Sequence, residues 1–215
     1  MRSVFLLRRC TQAIHRSRAA LLLSDWELAG SSDRLSECAD WLGRLQPDVL
    51  ACDLRLFDGH VSRLLRGLRH EAWAPRVLLF SSCADEVLLY DTLASGAHGY
   101  WMERQTSISL PTALDALHQG RALMSPMIAR RALAALALPR LSLEQAHQLR
   151  LRSLEPGQEP AFVQPLLSLL SLGLLPREIA QLWELALEQV EQALAQIYRR
   201  LHRVRIFHEP DLPVA

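Results

Sequence analysis

The chain has 215 residues, half of them hydrophobic and 22% charged, with a formal net charge of +1. This is globular composition, long enough for one large domain or two small ones, and its near-neutral charge argues against an extended nucleic-acid surface while allowing a local one. All 24 basic residues are arginine, so any site that needs a lysine ammonium is excluded.

Residues 3–9, S-V-F-L-L-R-R, read as a first strand ending on two arginines, and Thr11 to Leu23 is helical in composition. Trp26 to Gly30 forms a weak second strand. Asp33 is placed to cap a helix whose apolar residues Leu35, Cys38, Leu42 and Leu45 recur near a period of 3.6. Next comes Q-P-D-V-L-A-C-D-L-R-L-F-D-G (46–59), in which a Pro-Asp turn launches a buried run that ends on Asp53. A turn at Phe57-Asp58-Gly59 leads into a short helix carrying Val61, Leu64, Leu65 and Leu68. Val77 to Phe80 is a fourth strand, Asp85 to Ser95 a helix closed by Gly96, and Tyr100-Trp101-Met102 a fifth strand. Leu110, Ala113, Leu114 and Leu117 mark a fifth helix.

Strands alternating with helices at this spacing predict a flavodoxin-like, five-stranded parallel α/β domain over residues 1–124. An acid at the carboxyl end of a buried central strand lies where such sheets place their chemistry. Residues 125–160 read as a helix from Pro126 and then a linker, with one or two helical turns at most between 139 and 160. Residues 161–208 read as a small all-α domain. Gly173 stops one apolar helix, Pro176 starts a second, and Glu188 to Arg203 forms a third with Val190, Leu194, Ile197 and Leu201 inward. This order suits a helix-turn-helix module.

The two halves together resemble a NarL/FixJ-type response regulator, a receiver joined to a LuxR-type DNA-binding domain. The carriers are P-D-V-L-A-C-D-L-R-L around Asp53, R-V-L-L-F-S-S (76–82), A-S-G-A-H-G-Y (94–100), M-S-P-M-I-A-R-R (124–131), G-L-L-P-R-E-I-A (173–180) and V-x-x-x-L-x-x-I-Y-R-R-L (190–201). The resemblance implies a phosphoacceptor at Asp53, a hydroxyl at Ser81, two metal-binding acids after the first strand and a lysine after the fifth. Arg8 and Arg9 stand at the acids' positions and Glu103 at the lysine's. The pocket is thus altered by charge reversal, and aspartyl phosphorylation is not expected.

Two arrangements fit these residues. Arg8 and/or Arg9 pair with Asp53 and Glu103 in a metal-free cluster that fixes one conformation, or the arginines point to solvent. Phe57 stands where many family members carry proline and reads as a packing residue. Tyr100 matches the family's strand-five aromatic and reads as a core or interface residue.

In the helix-turn-helix half, Gln189, Gln192 and Gln196 are candidates for base edges and Arg199 and Arg200 for phosphates. Glu188 and Glu191 oppose a polyanion, so weak, salt-sensitive DNA binding is expected. Cys10, Cys38, Cys52 and Cys83 form no C-x-x-C pair, and the eight histidines show no ligand spacing, so neither metal nor cofactor is expected. Val4 to Leu7 is too short for a signal-peptide core, and Arg130-Arg131 breaks the Ala/Leu-rich stretch before Pro139. A cytoplasmic, non-enzymatic regulator is expected, a homodimer or heterodimer with another regulator, acting on DNA and not at a membrane. The alternative is a pseudo-response regulator that does not bind DNA and works through another regulator or kinase.

Overall fold

The computed structural model describes residues 2–81, 86–103, 108–152 and 162–204. Its main sheet has five parallel strands, β1 (Arg2–Leu7), β2 (Trp26–Ser32), β3 (Val49–Asp53), β6 (Arg76–Ser81) and β7 (Gly99–Met102), in the order β2-β1-β3-β6-β7. The turn expected after Asp53 is a two-stranded hairpin, β4 (Arg55–Leu56) with β5 (Gly59–His60). Around the sheet lie α1 (Thr11–Leu21), α2 (Leu35–Leu45), α3 (Val61–Leu68), α4 (Glu86–Ala94) and α5 (Leu110–His118).

The central strands carry continuous apolar runs, Val4–Leu7, Val49–Cys52 and Val77–Phe80, because helices cover both faces of the sheet. Alternate residues sort accordingly. Phe5, Leu7, Leu50, Cys52 and Leu79 join one core, while Val4, Leu6, Val49, Ala51, Leu78 and Phe80 join the other, under α5. The β1–β2 register shifts between Val4 and Phe5, where the Phe5 ring crosses Gly30 so closely that a Cβ at Gly30 would lie 2.8 Å from Phe5 Cε2.

Asp33 does not cap α2. The cap position belongs to Arg34, whose side chain makes no cap bond, and Asp58 from the hairpin instead accepts the Leu35 and Ser36 N–H groups, each at 2.9 Å. Asp85, expected in α4, lies outside the described residues.

After the receiver-like half come α6 (Pro126–Ala135), α7 (Leu143–Arg152), α8 (Val163–Ser171), α9 (Pro176–Leu182) and α10 (Leu187–Leu201). The stretch expected to be mostly linker thus contains a helix of 10 residues, α7. Its start is a reciprocal cap: Ser142 N–H donates to Gln145 Oε1 at 3.0 Å, and Gln145 N–H to Ser142 Oγ at 3.2 Å. Buried Ala146 ties α7 into the core that holds α8, and Arg130 of α6 donates twice to the Ser171 carbonyl at the end of α8. Among the described residues, no helix is long and apolar enough to cross a membrane.

Candidate functional site

β1 delivers Arg8 to the carboxyl edge of the sheet, where its backbone N–H bonds the carbonyl of Ser32, the last residue of β2. The Arg8 side chain is 2% exposed. Its Nε donates to Asp53 Oδ2 at 3.1 Å, its Nη1 to Ser17 Oγ at 2.5 Å and its Nη2 to Glu103 Oε2 at 3.0 Å. The guanidinium carbon lies 3.6 Å from the centre of the Phe80 ring, which seals the cation from below. Each edge of the planar fork therefore has its own acceptor, a geometry no lysine could supply. Asp53 Oδ2 also accepts the Arg9 backbone N–H at 2.8 Å, and Arg16 Nε stands 3.9 Å from Glu103 Oε1. Two carboxylates thus face two guanidiniums, one of them buried.

Of the two adjacent arginines only Arg8 turns inward; the Arg9 side chain is exposed. Arg9 instead lines a cavity of about 220 Å³ with Cys10, Thr11, Asp33, Arg34 and Phe57. Phe57 is not a packing residue in the core sense: it is 86% exposed, with Arg34 5.8 Å from its ring centre. Ser81 is buried at the end of β6, opposite Met102 of β7.

On α10 the spacing divides the residues among three faces. Val190, Leu194, Ile197 and Leu201 are buried, and Gln189, Gln192, Gln196, Arg199 and Arg200, with Arg203 in the turn just after, are exposed. The third face meets the receiver. Arg121 Nη1 pairs with Glu191 Oε2 at 3.3 Å, Ala122 N–H donates to the Glu191 carbonyl at 3.1 Å, and Tyr198 OH donates to the Leu123 carbonyl at 2.7 Å. Burial raises the Glu191 carboxyl pKa above its ordinary value despite Arg121, and pushes the Tyr198 phenol well up. Glu191 therefore turns away from the exposed stripe, and Glu188 is the acid left beside it. Gln189 is partly committed as well, because its Oε1 accepts the Ala186 N–H at 3.0 Å and caps α10.

No protein-family model matches the chain. A curated relative from Mycobacterium tuberculosis, the DNA-binding transcriptional activator DevR/DosR, is 27% identical over 197 residues, covering 88% of this chain and 84% of that protein. The chain is similar over nearly its whole length to response regulators of the receiver plus helix-turn-helix type. Solved response regulators share its fold. A structure of two RcsB dimers bound to two parallel DNAs matches at TM-score 0.51 and 18% identity, over 92% of this chain and 91% of that one. RcsB from Salmonella typhimurium matches at TM-score 0.54 and 18% identity, over 94% and 93%. The receiver of NarL from Mycobacterium tuberculosis matches at TM-score 0.51 and 22% identity, over 55% of this chain and 97% of that one.

The pocket at the end of β1 and β3 does not fit the divalent ion that the family resemblance implies. A hard cation needs several oxygen ligands converging on one point. Here the residues after β1 are arginines, and the buried Arg8 guanidinium occupies the space between Asp53 and Glu103. Sequence reasoning missed Ser17, which accepts from Arg8, and the receiver residues Ala97, His98 and Arg121 that meet α10. Nothing local marks any of them, since each is recruited by an element far away in the chain. Cys83 and His208 lie outside the described residues, whereas Cys10 is exposed and burial pushes the Cys38 thiol up to about 12.

Proposed function

We propose that this response regulator is a transcription regulator whose receiver is held in one conformation by Arg8 instead of being switched by aspartyl phosphorylation. The observation that carries the reading is the buried guanidinium bonded to Asp53, Ser17 and Glu103. A phosphoryl group arriving at Asp53 would have to displace a paired, desolvated cation, with no lysine or metal to receive its charge. The homology to a transcriptional activator, and the RcsB dimers on DNA among the similar structures, support a regulator that dimerises and binds DNA. The exposed residues Gln192 and Gln196 are assigned to base edges and Arg199 and Arg200 to phosphates.

The test has two arms. Incubation with a small phosphodonor and Mg²⁺ leaves the protein unmodified; stoichiometric acid-labile phosphate on Asp53 would overturn the first half of the reading. Footprinting then gives specific protection that Gln192→Ala and Arg199→Ala weaken.

A second reading, a regulator acting through another protein without DNA, draws on the start of α10. There Leu187 and Glu188 are exposed and the Gln189 carbonyl is spent on the helix cap. It is favoured if no duplex is bound at low salt while a stable complex forms with another regulator.

A further inference from the structure

We propose that His98 and His202 form a proton-sensitive latch that holds the recognition helix α10 on the receiver at neutral pH and releases it on acidification. His98 lies in the turn between α4 and β7, and His202 caps the end of α10. Their rings meet edge to face, with centroids 5.6 Å apart at 79°. His98 Nδ1 accepts the Val77 backbone N–H at 3.1 Å, so that nitrogen carries no proton, and the His98 backbone N–H returns a bond to the Val77 carbonyl at 2.9 Å. On the other side of the contact, His202 Nε2 donates to the Ala97 carbonyl at 2.8 Å. The two imidazoles therefore fit this geometry as neutral rings, one bonded as an acceptor and the other as a donor.

A proton on His98 Nδ1 has no place in this arrangement, while at His202 burial outweighs the Ala97 and Leu93 carbonyls that favour its charged form. Protonating His98 at Nδ1 would set two N–H groups against each other at Val77. The charges acting on the pair are Arg76 of β6, Arg199 of α10 and Arg69 beyond α3, all positive. Burial, then the neighbouring imidazole and arginines, lower His98 to about 4, and burial likewise lowers His202. Histidines depressed in the latched state favour that state above the ordinary histidine range, and the preference is lost as pH falls from 6.5 toward about 4. Within that window the latched-to-released ratio falls by up to about tenfold per pH unit for each histidine that titrates.

Glu191, on the same face of α10, works the other way. Its carboxyl is raised in the latched state, so its linkage favours latching as pH falls, in the range just above 4.5. Glu191→Gln removes that opposition and isolates the histidines. Tyr198, whose phenol burial pushes well up, stays neutral throughout the window.

The experiment is small-angle scattering of the full chain between pH 7.5 and 4.5, with far-UV circular dichroism alongside and NMR titration of the imidazole signals. The expected result is a rise in radius of gyration on acidification with helix content unchanged, at the pH where the two partly buried imidazoles titrate, and at higher pH in Glu191→Gln. In His98→Asn/His202→Gln, whose amides supply the same backbone bonds without titrating, the rise is absent. Three outcomes overturn the latch: no opening while these two imidazoles titrate, the same opening in the double variant, or opening only with loss of helix. Should the double variant be open already at pH 7.5, the wild-type comparison decides, because imidazole and scattering midpoints that differ also overturn it.

Discussion

Arg8 Nε lies 3.1 Å from Asp53 Oδ2, and the same guanidinium reaches Glu103 through Nη2 at 3.0 Å, so one buried cation spans two carboxylates from different strand ends. Arg8→Ala leaves both acids facing a cavity, with Asp53 retaining the Arg9 N–H. Removing one partner of a buried ion pair costs about 3–5 kcal/mol. Denaturant unfolding of Arg8→Ala is expected to show a loss of that size. Arg8→Lys is expected to lose nearly as much, since an ammonium cannot bond three separated acceptors in one plane. A Lys variant of wild-type stability would mean that charge alone, not the fork, holds the site.

The Asp58 carboxylate caps α2 from the β4–β5 hairpin. Burial acts to raise its pKa, but the Leu35 and Ser36 amide bonds outweigh it and hold the carboxyl below 3.8. A depressed acid contributes stability that is present above its unfolded value and lost as pH falls through the lowered one. Asp58→Ala is expected to cost about 1 kcal/mol at neutral pH, as for other lost helix caps. The difference from wild type should shrink in acid, below pH 3.8, which thermal melts at two pH values would read.

Arg121 pairs with half-buried Glu191 across the two halves of the chain. Arg121→Ala leaves that carboxylate without its counter-charge. Amide exchange along α10 is expected to quicken in this variant, whereas Arg121→Ala/Glu191→Gln recovers most of the protection. Equal exchange in all three proteins would show that the pair contributes nothing to the contact.

Among the exposed α10 residues, the arginines and glutamines should separate by salt. Arg199→Ala and Arg200→Ala are each expected to lower the slope of log affinity against log salt by about 0.9 on any duplex. Gln192→Ala should leave that slope intact and relax sequence preference instead. Gln189→Ala should act chiefly through stability, because its side chain caps the Ala186 N–H.

The sheet was legible before any coordinates. Its central strands are continuous apolar runs bounded by turn residues, and burial on both faces demands such runs locally. The charges of Arg8, Arg9 and Glu103 at the strand ends were equally plain, because position relative to strand ends is a one-dimensional property. The α7 cap was legible too, as Ser142 followed three residues later by Gln145, but three prolines and a glycine nearby outweighed it in a reading by composition.

What the chain by itself determined, then, is its elements, their order and the sign of the charge at the end of each strand. Only the tertiary structure decided between Arg8 and Arg9, which are chemically identical neighbours. The inward one is chosen by Ser17, Phe80 and Glu103, arriving from three separate elements. Only the tertiary structure turned Glu191 toward Arg121 and replaced Asp33 by Asp58 as the α2 cap. The physical reason is common to all three. A charged side chain is placed by the partners that offset its desolvation, and here those partners are 9 to 95 residues away.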